Sequence, residues 1–339
     1  MLVCPRCRRH FHGLRYCPEH GVALLEVSLR AATPLPSPLL GALPPERTVR
    51  PMADTPDGRV GTVIADSYLI RERLGQGGMG TVYQAEHLTL GRPVALKILR
   101  RELSDREQSV LRFEREARLA SQLHHPSCVM VLDFGQAGDG CLYLAMELLV
   151  GIDLFDLLSA HRWLDVPRAL RIALQLCAGL AEAHQLGLVH RDIKPENIFL
   201  VEDPGFLDRV KILDFGLAKS LLPGPGEVAL SSPGTCFGTP EYLAPEAARG
   251  DPVDHRADLY ALGVLLYRMV SGRLPFGGTN KAALLLQQAT APPPRFATLD
   301  LPQPIPPRLE ELIFRLLAKD PAARPPDALT TGTLLSQLA

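Results

Sequence analysis

His190-Arg191-Asp192-Ile193-Lys194-Pro195-Glu196-Asn197, followed 22 residues after Asp192 by Asp214-Phe215-Gly216, sets a carboxylate, a lysine, a carboxamide and a second carboxylate in order along the chain. Each has a task in moving a phosphoryl group. A transferring γ-phosphoryl spreads charge over its equatorial oxygens, so a site needs cations on the phosphates and a group that orients the attacking hydroxyl. Asp192 suits the hydroxyl and Lys194 the γ-phosphate, while Asn197 and Asp214 offer the hard oxygens that Mg2+ prefers. A tripeptide alone has no such force. Asp133-Phe134-Gly135 is a second Asp-Phe-Gly with no such loop ahead of it, and it reads as a strand end before a hairpin. Asp139-Gly140 supplies the turn, and Leu142, Leu144 and Met146 alternate on the strand that follows.

Upstream, Gly75-Gln76-Gly77-Gly78-Met79-Gly80 fits G-x-G-x-x-G, a pattern that dinucleotide folds share. In those folds a helix opens straight after the glycines. Here Thr81-Val82-Tyr83-Gln84-Ala85 continues as a β-branched and aromatic strand, so the glycines belong to a hairpin tip whose N–H groups can approach phosphates closely. Val94-Ala95-Leu96-Lys97 then reads as a buried strand ending in a lysine. Phe113-Glu114-Arg115-Glu116-Ala117 begins an amphipathic helix with Leu111, Ala117 and Leu119 nearby, and Glu116 is the natural partner of Lys97.

With these motifs in order, joined by Ala244-Pro245-Glu246 and Asp258, the chain from about 61 to 338 resembles a bacterial protein kinase of the eukaryotic-like Ser/Thr type. The resemblance implies an α+β, two-lobed fold with a β-rich small lobe (61–149) and a helical large lobe (150–338). It implies ATP and Mg2+ as cofactors, and protein hydroxyls of serine and threonine as substrates. Asp192, Lys194, Asn197, Asp214, Lys97 and Glu116 would be the catalytic set, with Asn197 and Asp214 on Mg2+. ATP would lie against Leu74, the loop Gly75, Gln76, Gly77, Gly78, Met79 and Gly80, then Val82, Ala95, Lys97, the gatekeeper Met146, the hinge from Glu147 to Leu149, and Phe199. Asp258 would brace the catalytic loop from a helix, Arg324 would pair with Glu246, and His190 would be architectural rather than a base. Lys194-Pro195-Glu196 and Gly238-Thr239-Pro240-Glu241-Tyr242 resemble the Ser/Thr rather than the Tyr branch, with Thr239 contacting Asp192 and Lys194. A phosphate on Ser231, Ser232 or Thr235 could pair with Arg191 and order the activation segment. A catalytically idle scaffold is the competing reading. It conflicts with the presence of Lys97, Asp192 and Asp214 together.

Composition narrows the rest. The 339 residues carry a formal net charge of −1, which gives no general attraction to nucleic acid or anionic membrane. The longest apolar run, Leu259 to Tyr267, ends at Arg268 and is expected to be a buried helix, not a transmembrane span. Met1-Leu2-Val3 runs directly into Cys4-Pro5 without a signal peptide, and no anchor follows the kinase-like region, so a cytoplasmic enzyme is expected. Cys128, Cys141 and Cys177 read as small core residues, and Cys236 falls in the activation segment.

Three regions are expected: a cysteine-rich head (1–27), a proline-rich linker (28–60) and the kinase-like domain (61–338). In the head, Cys4-Pro5-Arg6-Cys7 and Cys17-Pro18-Glu19-His20 form two knuckles spaced for tetrahedral Zn2+, a small zinc-ribbon-like module. His10 and His12 compete with His20 as fourth ligand. A segment so short needs a staple to fold, though a reduced tail or a Cys4/Cys7 dithiol switch would use the same residues. The head would bind a protein partner; its arginines Arg6, Arg8, Arg9 and Arg15 read as a solvated face rather than a nucleic-acid site.

Overall fold

The computed structural model describes residues 58–338, apart from 105, 106, 204, 216–239 and 279, together with three short strands near the N-terminus. The chain forms two compact units, Met1–Glu46 and Arg47–Ala339. In the first, β1 (Leu2–Val3) lies between β2 (His10–Phe11) and β3 (Leu25–Glu26), antiparallel to both.

The second unit opens with a six-stranded antiparallel sheet in the order β4-β5-β6-β7-β9-β8. Its strands are β4 (Val63–Ile64), β5 (Tyr68–Gly77), β6 (Gly80–His87), β7 (Arg92–Leu99), β8 (Val131–Gln136) and β9 (Leu142–Glu147). Period-two alternation feeds two cores at once. Val94, Leu96 and Ile98 of β7 join Tyr68, Ile70, Tyr83 and Tyr143 in one, while Ala95 turns to the other with Leu144 and Met146. The sheet also curls. Tyr68 on β5 and Tyr143 on β9 each donate a hydroxyl to Asp133 Oδ2 on the edge strand β8, at 2.9 Å in both cases, so opposite sides of the sheet are drawn to one carboxylate. The expected hairpin is present, with Gly140 at φ +84° in its turn.

Between β7 and β8 run α1 (Arg101–Ser104) and α2 (Glu107–Ala120). The second helix starts six residues ahead of the expected Phe113, and its buried face is Ser109, Phe113, Ala117 and Ala120. Leu111 lies off that face and is 59% exposed. Two residues from Phe113 is about 200° around the helix.

The large lobe carries a small antiparallel sheet of β10 (Gly151–Asp153), β11 (Ile198–Asp203) and β12 (Phe206–Ile212). Its helices are α3 (Leu154–His161), α4 (Val166–Gln185), α5 (Pro245–Arg249), α6 (Arg256–Ser271), α7 (Lys281–Thr290), α8 (Pro307–Leu316) and α9 (Ala328–Ser336). Asp165 caps α4 by accepting from Arg168 N. Every residue of α6 from Ala257 to Tyr267 is buried, so the long apolar run is a central helix. Among the described residues no helix is long and apolar enough to cross a membrane. The two-lobed architecture expected from the motifs is the one observed.

Candidate active site

The loop from His190 to Asn197 leaves α4 and enters β11, and its entrance is fixed by one buried carboxylate. Asp258, on the first turn of α6, accepts His190 N–H at 2.8 Å, Arg191 N–H at 2.7 Å and His184 Nε2 at 2.8 Å. Burial alone would push this carboxyl up, but the hydrogen bonds outweigh it and hold Asp258 below the usual carboxylate range. His190 is fully buried, donates from Nε2 to Leu213 O at 2.7 Å and accepts Asp192 N–H on Nδ1 at 3.2 Å. Burial pushes its pKa down. Neutral and bonded at both nitrogens, with the Phe215 ring tilted against it at 5.0 Å between centroids, it is a brace rather than a base.

Asp192 itself is held from two directions. Lys194 Nζ lies 2.9 Å from its Oδ2, and Asn197 Nδ2 donates to the same oxygen at 3.1 Å and to the Asp192 carbonyl at 2.7 Å. With its nitrogen committed, Asn197 keeps its acceptor oxygen for a hard cation. Arg191 at φ +61° and Asp214 at φ +55° are both non-glycine residues in the left-handed region, and they flank the site on its two sides.

Lys97, opposite Val82 and Leu144 in the sheet, places Nζ 2.7 Å from Asp214 Oδ2. The sequence reading pairs this lysine with Glu116 on α2; in the structure its ion pair runs to the Asp-Phe-Gly carboxylate. The cause is the anchoring of Leu213. Its N–H is bonded to Asn197 O at 2.8 Å and its C=O to His190, which presents the next residue to β7.

The glycine loop is a hairpin tip, with Gly77 opposite Gly80 and Gln76 opposite Thr81. A Cβ on Gly80 would sit 2.2 Å from Ile98 O, so no side chain fits there. At Gly75 and Gly78 a Cβ would meet open space. Among the described residues nothing lies within 4 Å on that side of the tip, which fits a cradle for phosphates. Met79 O accepts from Arg100 N at 3.0 Å and steadies the turn. Leu74, Val82, Ala95, Met146 and Leu149 pack into one core, with Ala95 directly across from Met146. Phe199 sits on β11 opposite Asp153 and Lys211. The hinge residue Glu147 turns its carboxylate to Lys211 Nζ at 2.6 Å and Met130 N at 2.8 Å, tying β9 to β12.

Further out, Arg324 grips Glu246 with two bonds of 2.7 Å, both side chains buried, as the motifs imply. Cys128, Cys141 and Cys177 are buried thiols, and burial pushes Cys128 and Cys177 up to about 12. His184, Lys211 and the tyrosine-binding role of Asp133 escape sequence reasoning, because each depends on partners distant in the chain. Gly216, Ser231, Ser232, Thr235, Cys236 and Thr239 lie outside the described residues, as do Cys4, Cys7, Cys17 and His20. Among the described residues no cluster of His, Cys, Asp and Glu is arranged to hold a metal ion.

A curled small-lobe sheet, a helical large lobe and the Asp192–Asn197 and Lys97–Asp214 pairs between them define a protein kinase domain. The family model for that domain matches residues 68–331, and the chain belongs to the protein kinase family. It is 44% identical over 272 residues to the serine/threonine-protein kinase pkn3 of Myxococcus xanthus, covering 80% of this chain and 50% of that protein. The serine/threonine-protein kinase PrkC of Bacillus subtilis is 37% identical over 267 residues, covering 78% of this chain and 39% of PrkC. This chain thus spans half or less of the length of both curated relatives. The crystal structure of the PknI kinase domain of Mycobacterium tuberculosis superposes with a TM-score of 0.63 at 29% identity, covering 82% of this chain and 97% of that one.

Proposed function

We propose that this chain is an ATP- and Mg2+-dependent serine/threonine protein kinase. The observation that carries the reading is the grip on Asp192, whose carboxylate is fixed by Lys194 and Asn197 on a loop that Asp258 anchors to the central helix. Asp192 orients the acceptor hydroxyl and takes its proton as the new O–P bond forms and the bond from the γ-phosphorus to the β-bridging oxygen breaks. Lys194 neutralises the transferring group, and Lys97 holds the α/β-phosphates beneath the glycine tip. Mg2+ would draw charge from the phosphates, with Asn197 and Asp214 as its protein ligands. Glu116 steadies the lysine side of the cleft. Leu74, Val82, Ala95, Met146 and Leu149 are the apolar bed for the base, with Phe199 as its floor, and the backbone from Glu147 to Leu149 lines its edge.

Regulation through the activation segment belongs to the same proposal: phosphate on Ser231, Ser232 or Thr235 would pair with Arg191, next to the proton acceptor. So does the three-region organisation with boundaries at 27 and 60. For the head we propose one Zn2+ on Cys4, Cys7, Cys17 and His20, serving a protein partner. What supports it is placement in the sequence: Cys4 and Cys7 fall between β1 and β2, and Cys17 and His20 between β2 and β3 of one small sheet. A cytoplasmic site of action completes the reading.

Mass spectrometry of the full chain incubated with MgATP tests it. The wild type is expected to phosphorylate itself and casein on serine or threonine, and Asp192→Asn to fall by about 10^3-fold with the fold intact. Wild-type turnover by Asp192→Asn would end the catalytic assignment. Elemental analysis of the same preparations is expected to find one zinc per chain, reduced by Cys17→Ser.

A further inference from the structure

The turn Pro240–Tyr242 is where the activation segment returns to the described structure, and its backbone is held by a side chain that no motif contains. Gln288, on α7 and fully buried, donates from Nε2 to the Pro240 carbonyl at 3.2 Å and to the Glu241 carbonyl at 2.5 Å. Its own carbonyl accepts the Tyr260 hydroxyl at 2.5 Å. Tyr260, on the central helix α6, in turn accepts from Lys319 Nζ at 3.2 Å, and Lys319 also donates to Gln288 O at 2.7 Å. A flipped amide would set acceptor against acceptor at both carbonyls of the turn.

The same turn is held a second time through Tyr242, whose hydroxyl accepts from Arg268 NH1 at 2.7 Å. Arg268 also lies over the Phe155 ring of α3, 5.7 Å from its centroid, and α3 packs against the Pro195–Asn197 turn of the catalytic loop. One arginine thus ties the turn to the helix that packs on the loop carrying Asp192.

We propose that Gln288 is a positioning residue for the protein substrate: by fixing the Pro240 and Glu241 carbonyls it sets the shape of the ledge on which the acceptor's backbone lies. The proposal rests on the kinase reading above. Its chemistry is specific to the peptide side of the reaction, because Gln288 and Tyr260 touch none of the residues assigned to ATP. The ring of Tyr260 also stacks on Arg324, 5.1 Å from the guanidinium that holds Glu246, so ledge and ion pair share one support.

The test uses the full chain, MgATP and dephosphorylated casein. Gln288→Met keeps the volume and removes both donors; the KM for casein is expected to rise about ten-fold while the KM for ATP stays within about two-fold. Tyr260→Phe frees the amide and is expected to raise the casein KM by about three-fold, and Gln288→Met with Tyr260→Phe to match Gln288→Met alone, as members of one relay do. An unchanged casein KM in active Gln288→Met overturns the proposal, as does a parallel rise in both KM values or simple additivity in the double variant. Failure of the wild type to phosphorylate casein or itself would instead overturn the kinase reading, and this inference with it.

Discussion

The chain spells Asp-Phe-Gly twice, and the two copies end up in opposite kinds of surroundings. At 133–135 the tripeptide is inside an edge strand: Asp133 collects hydroxyls from Tyr68 and Tyr143, Phe134 meets Phe113 edge-on with ring centroids 6.4 Å apart, and Gly135 is backed by the Tyr143 ring. At 214 the backbone is left-handed, the carboxylate meets a lysine at 2.7 Å, and Phe215 is buried against a neutral histidine. A carboxylate given hydroxyl donors is a structural pin; one given an ammonium beside open glycine backbone is a place for phosphate and metal. Partners decide chemistry here, and the tripeptide does not.

That contrast can be broken most decisively at the aspartates. Asp214→Asn is expected to lower phosphotransfer by about 10^3-fold, whereas Asp133→Asn keeps an oxygen for the tyrosines and stays within about two-fold of wild type. Equal losses in a casein assay would erase the distinction. At the phenylalanines the difference is one of packing. Phe215, 3% exposed, is expected to cost about 3–4 kcal/mol on replacement by alanine, and the half-buried Phe134 about half of that, read from urea midpoints. Asp133→Ala strands two buried tyrosine hydroxyls and should lose about 1–2 kcal/mol while leaving the KM for ATP alone.

The smallest effect is one of pH. Burial, then the Asp133 hydrogen bond, raises both tyrosines, with Tyr143 pushed up to about 12. A hydroxyl that keeps its proton in the folded state while the unfolded chain gives it up near pH 10 stabilises the fold below pH 10 and loses that contribution as pH climbs toward 12. Alkaline unfolding should thus begin between pH 10 and 12, and Asp133→Ala should weaken its dependence on pH. An unchanged profile would show that burial alone sets these groups.

What was legible in the sequence is what the chain keeps contiguous. Asp192, Lys194 and Asn197 sit within one turn of backbone, so their order was enough to place them, and Ala244-Pro245-Glu246 and Asp258 are fixed by the same kind of local spelling. Arg324 was placed against Glu246 only through family likeness, since 78 residues separate them. Contacts between partners distant in the chain leave no such mark. Lys97 met Asp214 because Leu213 is pinned by His190 and Asn197, a constraint with no sequence signature. Gln288 has nothing around it in the sequence to mark it.

The two oxygens of Asp258 also make the catalytic loop readable by hydrogen exchange. The amide protons of His190 and Arg191 point at a carboxylate that is 1% exposed, so solvent deuterium reaches them only when the loop lets go of α6. Their exchange rates time how often the proton acceptor is out of register, with no substrate or nucleotide in the tube. An agent that silences the kinase by loosening this loop would speed those two amides; one that merely occupies the ATP cleft would slow them or leave them unmoved.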